Sequence, residues 1–127
     1  MTGGFFSNRI NPELRQTTYC TAIKYGDKRE WDFAWRMALN ATTVQHRDVL
    51  LSALGCSREA WILTRYLWKS LDPHLVGLPR RDGAKILFAV ASTAAGRTVA
   101  FDFLHNHFDE LVDAYAFSLN YDTKTST

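Results

Sequence analysis

At 127 residues, 46% hydrophobic and 22% charged, the chain has the composition of one globular domain or of one piece of a larger one, which argues against disorder. Its formal net charge is +2, with Lys and Arg dispersed among Asp and Glu, so no basic footprint for nucleic acid or an anionic membrane is present. No apolar run is long enough to span a bilayer, and the opening MTGGFFSNRI lacks the apolar core of a signal peptide, so export would need a signal upstream.

Pro12 behind Asn11 predicts the start of a first helix, because a missing N–H costs nothing at the first helical position. Leu14, Thr18, Ala22 and Tyr25 recur at helical steps, and Gly26 ends the run. Asp27 caps a second helix, GDKREWDFAW and beyond, with Trp31, Ala34, Trp35, Ala38 and Leu39 on one stripe. A third helix runs from about Val44 to Gly55. A fourth opens at Ser57 and carries Trp61, Leu63, Tyr66, Leu67 and Leu71, until Asp72-Pro73 stops it. The fifth is expected from Pro79 to near Gly96, carrying Ala84, Leu87, Phe88 and Ala91. The sixth places Phe101, Leu104, Phe108, Leu111, Val112 and Tyr115 on one face.

Six helices joined by short connections, with no alternating strand pattern, predict an all-α chain of about three antiparallel pairs stacked as a short α-solenoid. The expected organisation is an N-terminal tail at 1–11, a helical-repeat domain at 12–117 and a polar C-terminal tail at 118–127. The four tryptophans, Trp31, Trp35, Trp61 and Trp68, read as inter-helix packing.

Cys20 and Cys56 stand 36 positions apart, which suits neither a C-x-x-C redox site nor a zinc knuckle. Neighbouring first helices of a solenoid would bring them near each other; a disulfide and two separate buried thiols both remain open. Asn40-Ala41-Thr42 is an N-glycosylation triplet, making Asn40 a glycan candidate. Arg80 and Arg81, at the start of the fifth helix, would face either solvent or a neighbouring domain or peptide. His105, His107 and Asp109 invite a metal reading, but without a closed ligand set they are read as solvated side chains.

The stretches INPELRQTTYCTAI, REWDFAW followed by NAT, LLSALGCSREAWILTRYL, SLDP and GRTVAFDFLHNHFDELVDAY, in this order and spacing, resemble the C-terminal helical domain of aminopeptidase N-like zinc metallopeptidases. The resemblance covers about residues 9–117. It implies part of a right-handed, HEAT-like α-superhelix in the ectodomain of a plasma-membrane or extracellular enzyme that removes N-terminal residues from peptides. In that family the domain packs on the catalytic domain, closes over the active-site cavity and in some members supplies a dimer contact. The resemblance further implies that Cys20 and Cys56 are joined, supports a glycan on Asn40, and places zinc in the parent's catalytic domain with no cofactor in this chain. Two departures stand out. HLVGLPRRDGAK replaces the family's Arg-Lys-Gln-Asp stretch, so that only Arg80 and Asp82 keep its character, and SLNYDTKTST stands where the family continues through further helices.

The chain contains no H-E-x-x-H and no G-x-M-E-N, so by itself it is expected not to be an enzyme. The leading expectation is a non-catalytic piece of the C-terminal domain, shaping peptide access, with possible partners in the catalytic domain and, through surface left by further helices, in a second copy. The alternative is a stand-alone helical-repeat interaction module from a short transcript, favoured by Met1 and the unfamiliar last residues. Nucleic-acid binding and membrane insertion by this segment are not expected.

Overall fold

Four of the helix starts are local side-chain hydrogen-bonding events. α1 (Pro12–Tyr25) precedes α2 (Lys28–Leu39), whose cap Asp27 accepts from Arg29 N–H at 2.8 Å while the Glu30 carboxylate accepts from Asp27 N–H at 3.0 Å. Thr43 Oγ1 accepts from His46 N–H at the start of α3 (Val44–Leu54), and Ser57 Oγ accepts from Glu59 N–H ahead of α4 (Ala60–Leu71). α5 spans Asp82–Ala91; α6 (Ala94–Asn106) is capped by Thr93, which accepts from Gly96 N–H, and helix resumes at 108–113. Each such cap stabilises its helix by about 1 kcal/mol. The computed structural model describes residues 12–71, 77–79 and 81–113; the expected tails at 1–11 and 118–127 lie outside the described residues.

The architecture is all-α, built of packed helix pairs, with no strand among the described residues. α1, α3 and α5 lie side by side as one layer; α4 and α6 lie side by side in the other. α2 packs on α3 more than on α1, and α4 packs on α5, so the second helix of each pair leans on the first helix of the next. That offset makes one continuous core, in which Leu50, Leu51, Leu54, Leu63, Leu67, Ile86 and Val90 are fully buried. Each contributes about 1.5–3 kcal/mol by leaving water.

Three consecutive residues at the end of α3 each fasten a different helix. Leu54 O accepts from Trp31 Nε1 on α2 at 3.0 Å. Gly55 lies against Ala89 on α5 so closely that a Cβ would run into the Ala89 carbonyl. Cys56 is bonded to Cys20 on α1, with Cα atoms 5.3 Å apart and a sequence separation of 36. Closing a loop of that size contributes roughly 3–4 kcal/mol in the chain-entropy account.

α2 and α4 are bridged by rings. Tyr66 stands edge-on to Trp31 and Trp35, at centroid distances of 5.3 and 6.1 Å, and its hydroxyl donates to Leu51 O at 2.6 Å. The aromatic surface concentrated in residues 26–35 is therefore spent on its own neighbours.

Several expected inward faces are corrected. On α1 the buried residues are Tyr19, Ala22 and Ile23, while Leu14 and Tyr25 are exposed. On α4 only Ile62, Leu63, Tyr66, Leu67 and Ser70 are buried; Trp61 and Trp68 face outward. The fifth helix does not reach Gly96: it begins at Asp82, ends at Ala91, and Ser92-Thr93 supplies a break and a cap. Gly96 is instead buried within α6, against the carbonyl of Val90. The sixth stripe is also rephased. Gly96, Ala100 and Phe103 point inward, and Phe101 and Phe108 are 69% and 62% exposed. The buried stripe continues past the turn at His107 to Leu111, at steps of three and four residues from Gly96, so the inward face is shifted because the small residues Gly96 and Ala100, and not the large rings, begin it.

Because Gly55 has no room for a side chain, Gly55→Ala should separate α3 from α5 and destabilise the chain by about 1–3 kcal/mol, the range for overpacking. Urea denaturation monitored by circular dichroism reads this directly; an unchanged midpoint would contradict the packing at this junction.

Candidate functional site

The layer of first helices carries a surface groove between α3 and α5, about 280 Å³ in volume, lined by Asp48, Ser52, Lys85, Phe88, Ala89 and Ser92. The periodicity of both helices places these residues. Asp48 and Ser52 are one turn apart on α3; Lys85, Phe88, Ala89 and Ser92 follow at three- and four-residue steps from α5. Gln16 on α1 donates to Ser52 Oγ at 3.0 Å and so carries the polar lining onto a third helix. Phe88 is 71% exposed and is the apolar member of the groove.

One wall of the groove is an ion cluster. Asp82, the first residue of α5, is completely buried, and its Oδ2 accepts from Arg47 Nε on α3 at 2.9 Å. Lys85 Nζ lies 2.6 Å from Asp48 Oδ1 and 3.2 Å from Asp82 Oδ1, the latter contact off hydrogen-bonding alignment, so charge rather than an aligned bond holds that oxygen. Burial pulls the Lys85 pKa down, but the two carboxylates outweigh it and leave it raised. Burial, followed by the Asp82 charge, pushes the Tyr66 phenol well above its ordinary value. Two acids and two bases thus tie α3 to α5 at the groove, an arrangement suited to recognising a polar ligand and equally to holding the layer rigid.

His46 occupies the other side of α3. Its ring lies 6.4 Å from that of Tyr19 on α1, its Nε2 is buried without a hydrogen-bond partner, and burial, with Arg15 second, lowers its pKa.

The residues singled out in the sequence are dispersed. Cys20 and Cys56 meet at the α1–α3 junction, and Arg81 is exposed at the start of α5, making no cap hydrogen bond. Arg80 lies outside the described residues. Asn40 is exposed after α2, its Nδ2 donating to Arg36 O at 2.9 Å. His105 stacks on Phe101, and His107 packs between Trp68 and Phe103. Among the described residues no group of three or more His, Cys, Asp or Glu side chains is placed to hold a metal. Sequence reasoning missed the Arg47, Asp48, Asp82 and Lys85 cluster. The signal available to it was the Asp82–Lys85 spacing of three residues opposite an adjacent Arg-Asp pair of inverse charge order.

A family model described as the ERAP1-like C-terminal domain matches residues 1–124. The chain belongs to this family. It is 43% identical over 109 residues to aminopeptidase N of Oryctolagus cuniculus and 39% identical over 109 residues to aminopeptidase N of Homo sapiens, in each case covering 86% of this chain and 11% of the relative. The thyrotropin-releasing hormone-degrading ectoenzyme of Rattus norvegicus is 31% identical over 117 residues, 92% of this chain and 11% of that protein. The chain thus spans about a tenth of the length of these relatives and corresponds to their C-terminal region. The groove, the ion cluster and the disulfide are features of an ERAP1-like C-terminal domain.

Asp82→Ala would leave Arg47 half-enclosed without its partner, and the expected loss is about 3 kcal/mol or more in denaturant unfolding; a loss within experimental error would mean the pair contributes no net stability. His46 is held below its ordinary 6.5, so on acidification the unfolded chain takes up the proton first. Stability is complete above 6.5 and falls as pH drops through the lowered folded value. His46→Gln should flatten that slope in melting temperature between neutral and mildly acidic pH, whereas an unaltered slope would assign it to other groups.

Proposed function

We propose that this chain acts as a non-catalytic C-terminal domain element of an aminopeptidase N-like zinc metallopeptidase, packing on the catalytic domain and shaping the access of peptides to it. The observation that carries the reading is the match of nearly the whole chain to a C-terminal domain family, in a sequence with neither H-E-x-x-H nor G-x-M-E-N. The donor set for a zinc ion is lacking among the described residues, the two cysteines being bonded to each other, so the metal and the peptide-bond chemistry would belong to the catalytic domain. The helical-repeat unit is taken as 12–117, and the groove between α3 and α5, together with Arg81 next to Asp82 in the chain and the candidate Arg80 before it in sequence, is the surface we assign to peptide or domain contact.

An extracellular or plasma-membrane ectodomain setting follows from the same reading. It is supported by a disulfide, which persists in oxidising compartments, and by the exposed Asn40 triplet, which would carry an N-glycan there. No helix among the described residues is long and apolar enough to cross a membrane.

An immunoblot of native extract with an antibody against this segment should show a band several times larger than 14.5 kDa that shifts on treatment with an N-glycosidase. The purified chain, given zinc and an aminoacyl chromogenic substrate, should give no turnover above blank. A band at 14.5 kDa would instead make the chain an independent interaction module, and zinc-dependent turnover would overturn the non-catalytic assignment.

A further inference from the structure

The outward face of α4 combines large aromatic rings with unbalanced charge. Trp61 and Trp68 are seven residues apart, two turns or roughly 10 Å along the helix axis, and are 52% and 49% exposed. Large aromatic residues presented together on one helix face are more typical of the centre of a protein–protein contact than of free surface. Both rings are braced from neighbouring side chains. Trp68 stands edge-on to Phe103 at 5.5 Å and to His107 at 4.5 Å. The Arg65 guanidinium lies between the Trp61 and Trp31 rings, 5.5 and 5.2 Å from their centroids.

The charges on this face do not balance. Lys28 and Arg65 share the single carboxylate of Asp32, at 2.6 and 3.0 Å. The Lys69 ammonium lies 5.3 Å over the Trp35 ring and makes no ion pair among the described residues. Burial and then Arg65 lower the Lys69 pKa, only partly offset by Asp32, as expected of a cation short of counter-charge. Three cations around one carboxylate leave a local excess of two positive charges beside two half-exposed tryptophans.

We propose that this face of α4 is a docking surface for an acidic amphipathic helix of a partner protein, whose apolar residues at heptad spacing cover Trp61 and Trp68 and whose carboxylates meet Arg65 and Lys69. A helix is the occupant because a seven-residue spacing along one helix is matched by another lying along it. Carboxylates are its charge because Arg65 shares its one carboxylate with Lys28, and a partly desolvated ammonium with no ion pair among the described residues gains most from a new counter-charge. The proposal does not depend on the chain belonging to a peptidase.

The test uses the full chain and a synthetic helix of about three heptads, with Leu at the a and d positions and Glu on the flanks, compared with the same peptide carrying Lys in place of Glu. The Glu peptide should give saturable quenching of tryptophan fluorescence and bind at least about tenfold more tightly than the Lys peptide. Trp68→Ala and Lys69→Glu should each weaken it by about tenfold, and Lys69→Glu should improve binding of the Lys peptide. Both side chains are at least partly exposed, so the helical circular dichroism of the variants should be retained; the charge-swap gain reads the site even if one variant is less stable. No saturable binding, equal binding of the two peptides, or binding untouched by both substitutions would overturn the proposal. A heparin-derived oligosaccharide that binds through Lys69 while the Glu peptide does not would assign the face to a sulfated glycan and overturn it equally.

Discussion

The fold depends on how closely α3 approaches its neighbours at its C-terminal end. Gly55 admits the backbone of α5 because it has no Cβ, and the residues on either side are committed elsewhere, Leu54 O to the Trp31 indole and Cys56 to Cys20. α1, α2 and α5 are therefore all located relative to one short segment. A helix end normally leaves its last carbonyls unsatisfied. Here one of them accepts a side-chain bond from another helix, so the same group closes α3 and orients α2.

Away from that junction the two layers are held differently. The layer of first helices is joined by charge, Asp82 with Arg47 and Lys85 with Asp48, next to the groove. The α2–α4 contact is joined by rings and by a cation stacked on them, Tyr66 edge-on to Trp31 and Trp35 and Arg65 between Trp31 and Trp61. A buried ion pair fixes geometry more surely than it adds stability, because its attraction is largely offset by desolvation. Aromatic contacts add both area and preferred angles. Placing the charged ties on the grooved face and the rings behind α4 leaves one face polar and adaptable and the other apolar and cationic.

Helix pairs offset so that each leans on the next give a continuous wall of packed helices. That suits a part whose proposed role is to pack on a catalytic domain and limit what enters. It also leaves the outer face of α4 available for a second kind of contact.

The helices, several of their starts and the all-α class were legible in the sequence because each is decided within three or four residues: Asp27 ahead of Lys28, Ser57 ahead of Ala60, Pro12 at a helix start. The resemblance of the quoted stretches to the peptidase C-terminal domain was legible for the same reason, being a matter of residues in order. Which face of each helix is buried was legible only in part. It held for Trp31 and Ala34 but failed for Phe101 and Phe108, because the buried stripe of α6 runs through the small residues Gly96 and Ala100, which a pattern of large apolar side chains passes over. The Cys20–Cys56 bond, the approach of Gly55 to Ala89 and the meeting of Arg47 with Asp82 join residues more than thirty positions apart. Contacts at that range are set by how the helices cross, and helix crossing is decided by the packing of the whole core, so only the tertiary structure could settle them.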